Sequence, residues 1–551
     1  MPSSRLLFFS VLALSLTTSI SAQEPTDVAS VVEPSDFNVT EALLGQGVDV
    51  NELPGLSELS KRSDLGCSIA CNSLKIIFGD DAVETRNEGA FTNFTASYWS
   101  SNQAEVTPYC IVKPSKPAQV SVVVLLSRLT QCPFAAKSGG HAAMAGASNI
   151  EGGITVSFIN MRDITLSADK TIASIQPGNI WGDVYQQLTK SDLTVVGGRL
   201  YNIGVGGLTT GGGISYFSNL YGWACDNVAS YDVVLASGVI VRATPSQFPD
   251  LYWALRGGGN NFGLVVSFNL FTIPLPGGQM WGGSRTYTED KFPEVTEAFT
   301  NILANSADDP KAGLYIVWAY SGGNKFAIPA LYYSEPDGGN ATIWSDFNAI
   351  ESVSDTTKNR ILHEWGQETM NDSPPGLREV YYMITTQADP DLFAFARDLF
   401  YENVHKVADI PGMIPVLATQ GITVPQMEAM TKNGGNALGL NAEDGPVYIL
   451  QLCAMWDDIE DDATVYQFMS DILEQVTAEA KTRGTNSNYV YMNYASQYQD
   501  VISSYGAESK TRLKSISKKY DPQQVFQLLQ PGYFKLDRAP IPDSGYFSTG
   551  I

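Results

Sequence analysis

The sequence predicts an α+β protein in two interleaved parts, and three observations carry that expectation. Strand and helix signals alternate from about residue 98 to 276. A hairpin and several long amphipathic helices fill the next stretch, 277–486. Glycine-rich blocks interrupt the first part at 137–141, 197–217 and 253–263, the second of them too apolar for a linker. A chain of 551 residues has room for two or three substantial cores.

The elements follow in order. Residues 1–22 read as a secretory signal: Arg5, an apolar run at 6–16, then small polar residues up to Ala22. That run is too short to span a bilayer, so a soluble secreted protein is expected. Residues 23–66 are polar, acidic and poor in aromatics, which predicts a disordered pro-region or stalk. Within it Lys61-Arg62 is either a processing site or two solvated charges. A first domain is placed at 67–276, with its core at about 104–276. It holds strands near 154–159 and 171–175, a helix at 181–188, a hairpin across 233–241 turning at Ser237-Gly238, and a strand at 264–273 that Pro274 and Pro276 end. A second domain, 277–486, holds a hairpin at 314–333 closed by Ser321-Gly322-Gly323-Asn324, and helices near 292–303 and 391–404. Val465, Phe468, Met469, Ile472, Leu473 and Val476 keep helical spacing and read as core. This mixture predicts an antiparallel sheet backed by helices, with one face free to roof a ligand. Residues 487–551 return to the first domain.

The glycine blocks carry the chemistry. Lys137-Ser138-Gly139-Gly140-His141 follows an apolar run and leads into Ala145-Gly146-Ala147. Adjacent glycines let backbone N–H groups converge on an anion such as a pyrophosphate, with His141 facing whatever carries it. The block from Gly197 to Phe217 is too rich in glycine for a packed helix or strand, and Ile203, Val205, Leu208, Ile214, Tyr216 and Phe217 are too apolar for a linker. Such backbone is suited to lying flat against something large.

These blocks, with Asp226-Asn227-Val228 and Lys519-Tyr520-Asp521-Pro522, resemble flavoproteins of the vanillyl-alcohol oxidase / p-cresol methylhydroxylase type, and within them the secreted fungal members of the berberine-bridge-enzyme-like branch. The resemblance runs from about Tyr98 to Phe534. It implies an FAD-binding domain of p-cresol methylhydroxylase type, split by an inserted substrate domain, with His141 bonded to the 8-methyl carbon of the flavin. Many members add a cysteine tether where Leu200 stands here, so the linkage is expected through His141 alone. Carried onto this chain, the cofactor contacts are Lys137, Ser138, Gly139, Gly140, His141, Ala145, Ile203, Gly204, Gly206, Gly207, Thr210, Gly211, Gly213, Asn227, Asn493 and Tyr494. The catalytic candidates are Asp444 and Gln451, from a strand of family form acid-Gly-x-x-Tyr-x-x-Gln, and Tyr491, from Tyr-x-Asn-Tyr. In relatives the residue before Gly-Val-Gly-Gly gates oxygen, valine admitting it and leucine hindering it. Ile203 holds that place, and its β-branched side chain points to an oxidase.

Composition excludes other classes. With 34 basic against 58 acidic residues, a net charge of −24 disfavours nucleic acid and anionic membrane surfaces. Three histidines, His141, His363 and His405, make a histidine-rich metal centre unexpected, and the last two read as structural or surface residues. Neither a P-loop nor a zincin motif is present. Acceptor sequons at Asn38, Asn93 and Asn340 predict N-glycans, with Asn371 a weaker fourth. Of six cysteines, Cys71 with Cys110 is the first pairing expected and Cys67 with Cys132 the second, leaving Cys225 and Cys453 free. The expected function is oxidation of a small organic alcohol, amine or phenol by hydride transfer to flavin, with O₂ or another electron acceptor, in fungal secondary metabolism. A lactone-forming carbohydrate oxidase and a non-catalytic binding protein are the alternatives.

Overall fold

The structure, a computed structural model, describes residues 31–56, 65–86, 89–370 and 373–537. The expected signal segment, Lys61-Arg62 and Asn371 lie outside them. Three sheets organise the chain. The first holds β1 (Val83–Thr85), β2 (Cys110–Val112), β3 (Phe134–Lys137) and β4 (Ile154–Ser157). β4 runs parallel to both β2 and β3. β2 and β3 flank β4 and run the same way, so their connection must cross over, and the helix Pro117–Thr130 supplies it. Proline opens that helix, where a missing N–H costs nothing, and Val120 and Val122 to Leu126 are buried along it. Cys67 pairs with Cys132 and Cys71 with Cys110, tying the helix Gly66–Phe78 to this layer, while Cys225 and Cys453 are buried free thiols.

The second sheet, of six strands, comprises β5 (Ile164–Leu166), β6 (Ile172–Ile175), β7 (Leu193–Val195), β8 (Val228–Val234), β9 (Ile240–Ala243) and β10 (Leu264–Pro274). β8 and β9 form the expected hairpin, with Gly238 at φ +76° after a turn through Ala236-Ser237. The third sheet has nine strands: β11 (Gln279–Thr288), β12 (Ala312–Ser321), β13 (Asn324–Tyr333), β14 (Ser354–Asp355), β15 (Lys358–Ile361), β16 (Arg378–Gln387), β17 (Ile414–Ile422), β18 (Val447–Trp456) and β19 (Asn486–Ser487). Every pairing within it is antiparallel. Gly322-Gly323 turns β12 into β13 at φ +57° and +81°, which the twist of a two-residue hairpin requires.

Period-two alternation splits the third sheet into two faces. On β18, Tyr448, Leu450, Leu452, Ala454 and Trp456 pack into one core with the helices Phe292–Ala304, Pro390–Asn403 and Asp462–Arg483. Ile449, Gln451, Cys453 and Met455 turn the other way, toward the first two sheets. All six helical positions from Val465 to Val476 expected in the core are buried.

The N-terminal expectation needs correction. Residues 31–56 are not a disordered stalk: they carry the helix Val39–Gly45 and bury Val31, Leu43, Val48, Leu53 and Leu56. Their composition is acidic, but Glu33 is consumed by a buried two-bond pairing with Arg128 at 2.8 and 3.0 Å. Asn38 caps the helix, accepting from the N–H groups of Thr40 and Glu41, and it is exposed, as are Asn93 and Asn340. No helix among the described residues is long and apolar enough to cross a membrane.

Candidate active site

The first glycine loop leaves the carboxyl end of β3, where parallel strands commonly present ligand sites. Ser138 Oγ joins it to the second block: it donates to the Pro177 carbonyl (2.6 Å) and accepts from Gly206 N–H (3.0 Å). Gly139 and Gly204 meet back to back. A Cβ on Gly139 would lie 2.4 Å from Gly204 N, and one on Gly204 would lie 2.2 Å from Gly139 N. These two glycines are therefore required by each other. Gly207, by contrast, has open space where its Cβ would be.

His141 follows Gly140, which sits at φ +76°. Its imidazole stacks on Trp99 with centroids 4.1 Å apart and planes 13° from parallel. Nε2 is buried without a partner, and burial lowers the ring's pKa to about 4. The ring is thus neutral at physiological pH, as a nucleophile must be.

Between the glycine loops and the face of the third sheet turned away from its helices lies a cavity of about 500 Å³. Its floor is Ser138 to His141, Ile203, Gly204, Gly206, Gly207 and Thr210, and its roof is Tyr315, Tyr381, Val416, Ala418, Gln420, Ile449, Gln451 and Cys453. Tyr491, Asn493 and Tyr494 enter from the chain's return, and Tyr533 and Phe534 close one end. Residues Met492–Tyr494 form a 3-10 turn. Tyr491 Oη accepts N–H groups from Gly213 (2.9 Å), Ile214 (3.2 Å) and Asn493 Nδ2 (2.8 Å), and burial holds its pKa well above the usual phenol range. Tyr494 Oη instead accepts from Arg199 Nη2.

A neutral nucleophilic ring on a glycine cradle, in a long cavity of this size, fits a flavin. The comparisons agree. Residues 108–244 match the family model described as an FAD binding domain. The FAD-dependent monooxygenase tpcD of Cochliobolus heterostrophus is 37% identical over 454 residues, covering 80% of this chain and 87% of that protein. This chain belongs to the family of FAD-linked oxidoreductases that includes this monooxygenase. It is also similar to the bifunctional solanapyrone synthase of Alternaria solani, 29% identical with 97% of this chain and 100% of that one covered. Berberine bridge enzyme from Eschscholzia californica shares the fold, with TM-score 0.69 at 16% identity over 86% of this chain and 100% of that chain. So does 6-hydroxy-D-nicotine oxidase from Arthrobacter nicotinovorans, with TM-score 0.67 at 20% identity over 83% and 97%. The oxidoreductase uses FAD.

Several residues expected at the cofactor stand behind the cavity wall of this oxidoreductase. Lys137 turns away, its Nζ bonded to Ser97 Oγ (2.8 Å) and set 3.9 Å from the Tyr98 ring centroid, and burial lowers its pKa to about 8. Ala145 offers its carbonyl to Tyr533. At Gly211 a Cβ would meet Asn493 Oδ1 at 2.1 Å, and Gly213 gives its N–H to Tyr491. Asn227 binds the Tyr221 and Trp223 carbonyls beside the fully buried Asp226–Arg256 pair. Asp444 is exposed on the 3-10 turn Ala442–Asp444, away from the cavity. The remaining expected residues, Gln451 and Tyr491 included, do line it.

Sequence reading missed Arg199, Glu379, Trp99, Tyr315 and Tyr381. Arg199 had a signal: a cation inside an apolar glycine block of a strongly acidic chain. Glu379 had another, as an acid on the buried strand Arg378–Gln387. It is 2% exposed, both carboxylate oxygens lack a partner, and burial pushes its pKa up to about 10, which keeps it protonated at neutral pH. It shares one face of β16 with Tyr381, opposite Met455 and Cys453 of β18.

Proposed function

We propose that this oxidoreductase oxidises a small organic alcohol, amine or phenol held between the glycine floor and the third sheet, with FAD attached through His141 alone. FAD, when bound, accepts the hydride that leaves the substrate carbon. The chain's own residues do the rest. Ser138, Gly139, Gly204 and Gly206 fix the floor, and the Trp99 stack holds the neutral imidazole in place. The apolar roof residues exclude water. Tyr494 Oη is the base: as a phenolate it would take the substrate proton and become the neutral phenol, and the Arg199 guanidinium that donates to that oxygen would stabilise the negative charge it carries beforehand. Gln451 offers an amide to orient a polar substrate group.

The observation that carries this reading is the orphaned neutral His141 on a cavity that also holds the Tyr494–Arg199 pair. Oxygen is the preferred acceptor, since Ile203 lines the cavity with a β-branched side chain. Secretion is supported by both disulfides and by the exposure of all three acceptor asparagines. A place in fungal secondary metabolism follows the synthase and monooxygenase relatives. Acid-precipitated protein should stay yellow, and mass spectrometry should find flavin on the His141 peptide. Flavin free in the supernatant defeats the covalent claim. A panel of alcohols, amines and phenols, read by peroxide release, tests the rest.

A further inference from the structure

Arg199, half-buried on the cavity, differs from the buried arginines among the described residues. Arg128 faces Glu33, Arg256 faces Asp226, Arg285 faces Asp355, Arg360 faces Glu368, Arg378 faces Asp462 and Arg397 faces Asp398. Arg199 has no carboxylate within ion-pair distance among the described residues. Its Nη2 goes to Tyr494, its guanidinium lies 4.6 Å from the Tyr315 ring centroid, and Nη1 is buried with no partner. It is the one charged side chain among those lining the cavity. Removing an ion from water without a counter-charge costs several kcal/mol. A chain with 58 acidic residues had ample means to supply one and has not done so here.

We propose that the cavity takes its substrate as an anion, a carboxylate, phenolate or enolate, whose charge is met by Arg199. This rests on the reading of the cavity as the site of oxidation. The planar guanidinium keeps one edge engaged by Tyr494 and turns unused N–H groups to the ligand, the geometry that pairs best with a carboxylate or an enolate oxygen. One charge in an otherwise apolar cavity discriminates strongly, because an uncharged ligand leaves the guanidinium uncompensated.

The test uses purified holoprotein whose flavin content is first read from its absorbance spectrum. Benzoate and benzamide are then titrated, with perturbation of the flavin bands giving each Kd. Benzoate should bind at least about ten-fold tighter than benzamide. Arg199→Gln should abolish that preference, and Arg199→Lys should keep part of it. Equal affinities in the wild type overturn the proposal, and that arm needs no variant to fold. A benzoate preference that survives Arg199→Gln also overturns it. If the same variant shifts the flavin midpoint potential while the preference stays, the cation serves the cofactor instead. Failure of the oxidation reading shows separately, as absent flavin or as no turnover across the substrate panel.

Discussion

In the floor of the cavity, backbone lies against backbone, and the residues that matter are those without side chains. Gly139 meets Gly204, and Gly206 N–H reaches Ser138. In the roof the arrangement is reversed. Tyr315, Tyr381, Gln420, Gln451 and Cys453 come from four strands of one sheet, and each reaches the cavity by strand alternation alone. The Gly139–Gly204 contact tolerates almost no substitution because backbone cannot move aside. Roof positions can exchange side chains while the sheet stays intact, since the opposite face is anchored by its own helical core. The fold thus joins a fixed cofactor bed to a roof free to vary with substrate.

The strongest way to break that contrast is a single methyl group. Gly204→Ala places a Cβ 2.2 Å from Gly139 N, at an ordinary φ of −70°, so the whole penalty comes from close approach. Overpacking costs about 1–3 kcal/mol and occasionally more, and two opposed backbones belong at or above the upper end. We expect a large fall in melting temperature together with loss of bound flavin. Gln451→Ala in the roof should keep both. Equal losses in the two variants would remove the distinction.

The next effect falls on chemistry. Tyr494→Phe keeps the edge contact with the Tyr491 ring (centroids 4.9 Å apart) and loses the hydroxyl that Arg199 contacts. Flavin reduction by substrate, followed by stopped flow, should slow by about 10²-fold or more. Tyr491→Phe should act mainly on stability, since its hydroxyl braces Gly213 and Ile214. Asp444→Asn should leave the rate unchanged, because that acid is exposed and outside the cavity. A slow Asp444 variant beside a normal Tyr494 variant would return the base to the acid.

These cases show why the floor was legible in the sequence and much of the roof was not. A bed made of backbone needs glycine at fixed local spacing, and His141 sits within that spacing. Local pattern does not say which side of the bed a residue faces, and Lys137, Ala145, Gly211, Gly213 and Asn227, expected with the cofactor, do not line the cavity. Asp444 misled for another reason. It lies on the 3-10 turn Ala442–Asp444 before the strand begins at Val447, outside the cavity lining, whereas Gln451 on that strand faces inward. Tyr315, Tyr381 and Gln420 become neighbours only through pairing across β12, β17, β18 and β16, which no local motif encodes.

The smallest effect concerns the acid the sequence left unmarked. Glu379 is more readily protonated in the fold than in the unfolded chain, with its pKa raised from 4.5 to about 10 by burial. The native state therefore binds more protons than the unfolded state across that window, and stability falls as pH rises through it. Each pH unit inside the window costs the wild type up to about 1.4 kcal/mol, and the cost is absent below the ordinary carboxyl pKa. Glu379→Gln resembles the protonated acid at every pH. Its melting temperature should match the wild type near pH 5 and exceed it by a widening margin toward pH 9. Parallel curves would mean that Glu379 ionises normally in the fold. The carboxyl would then have found a partner in the holoprotein, and β16 beside Tyr381 would carry a buried charge.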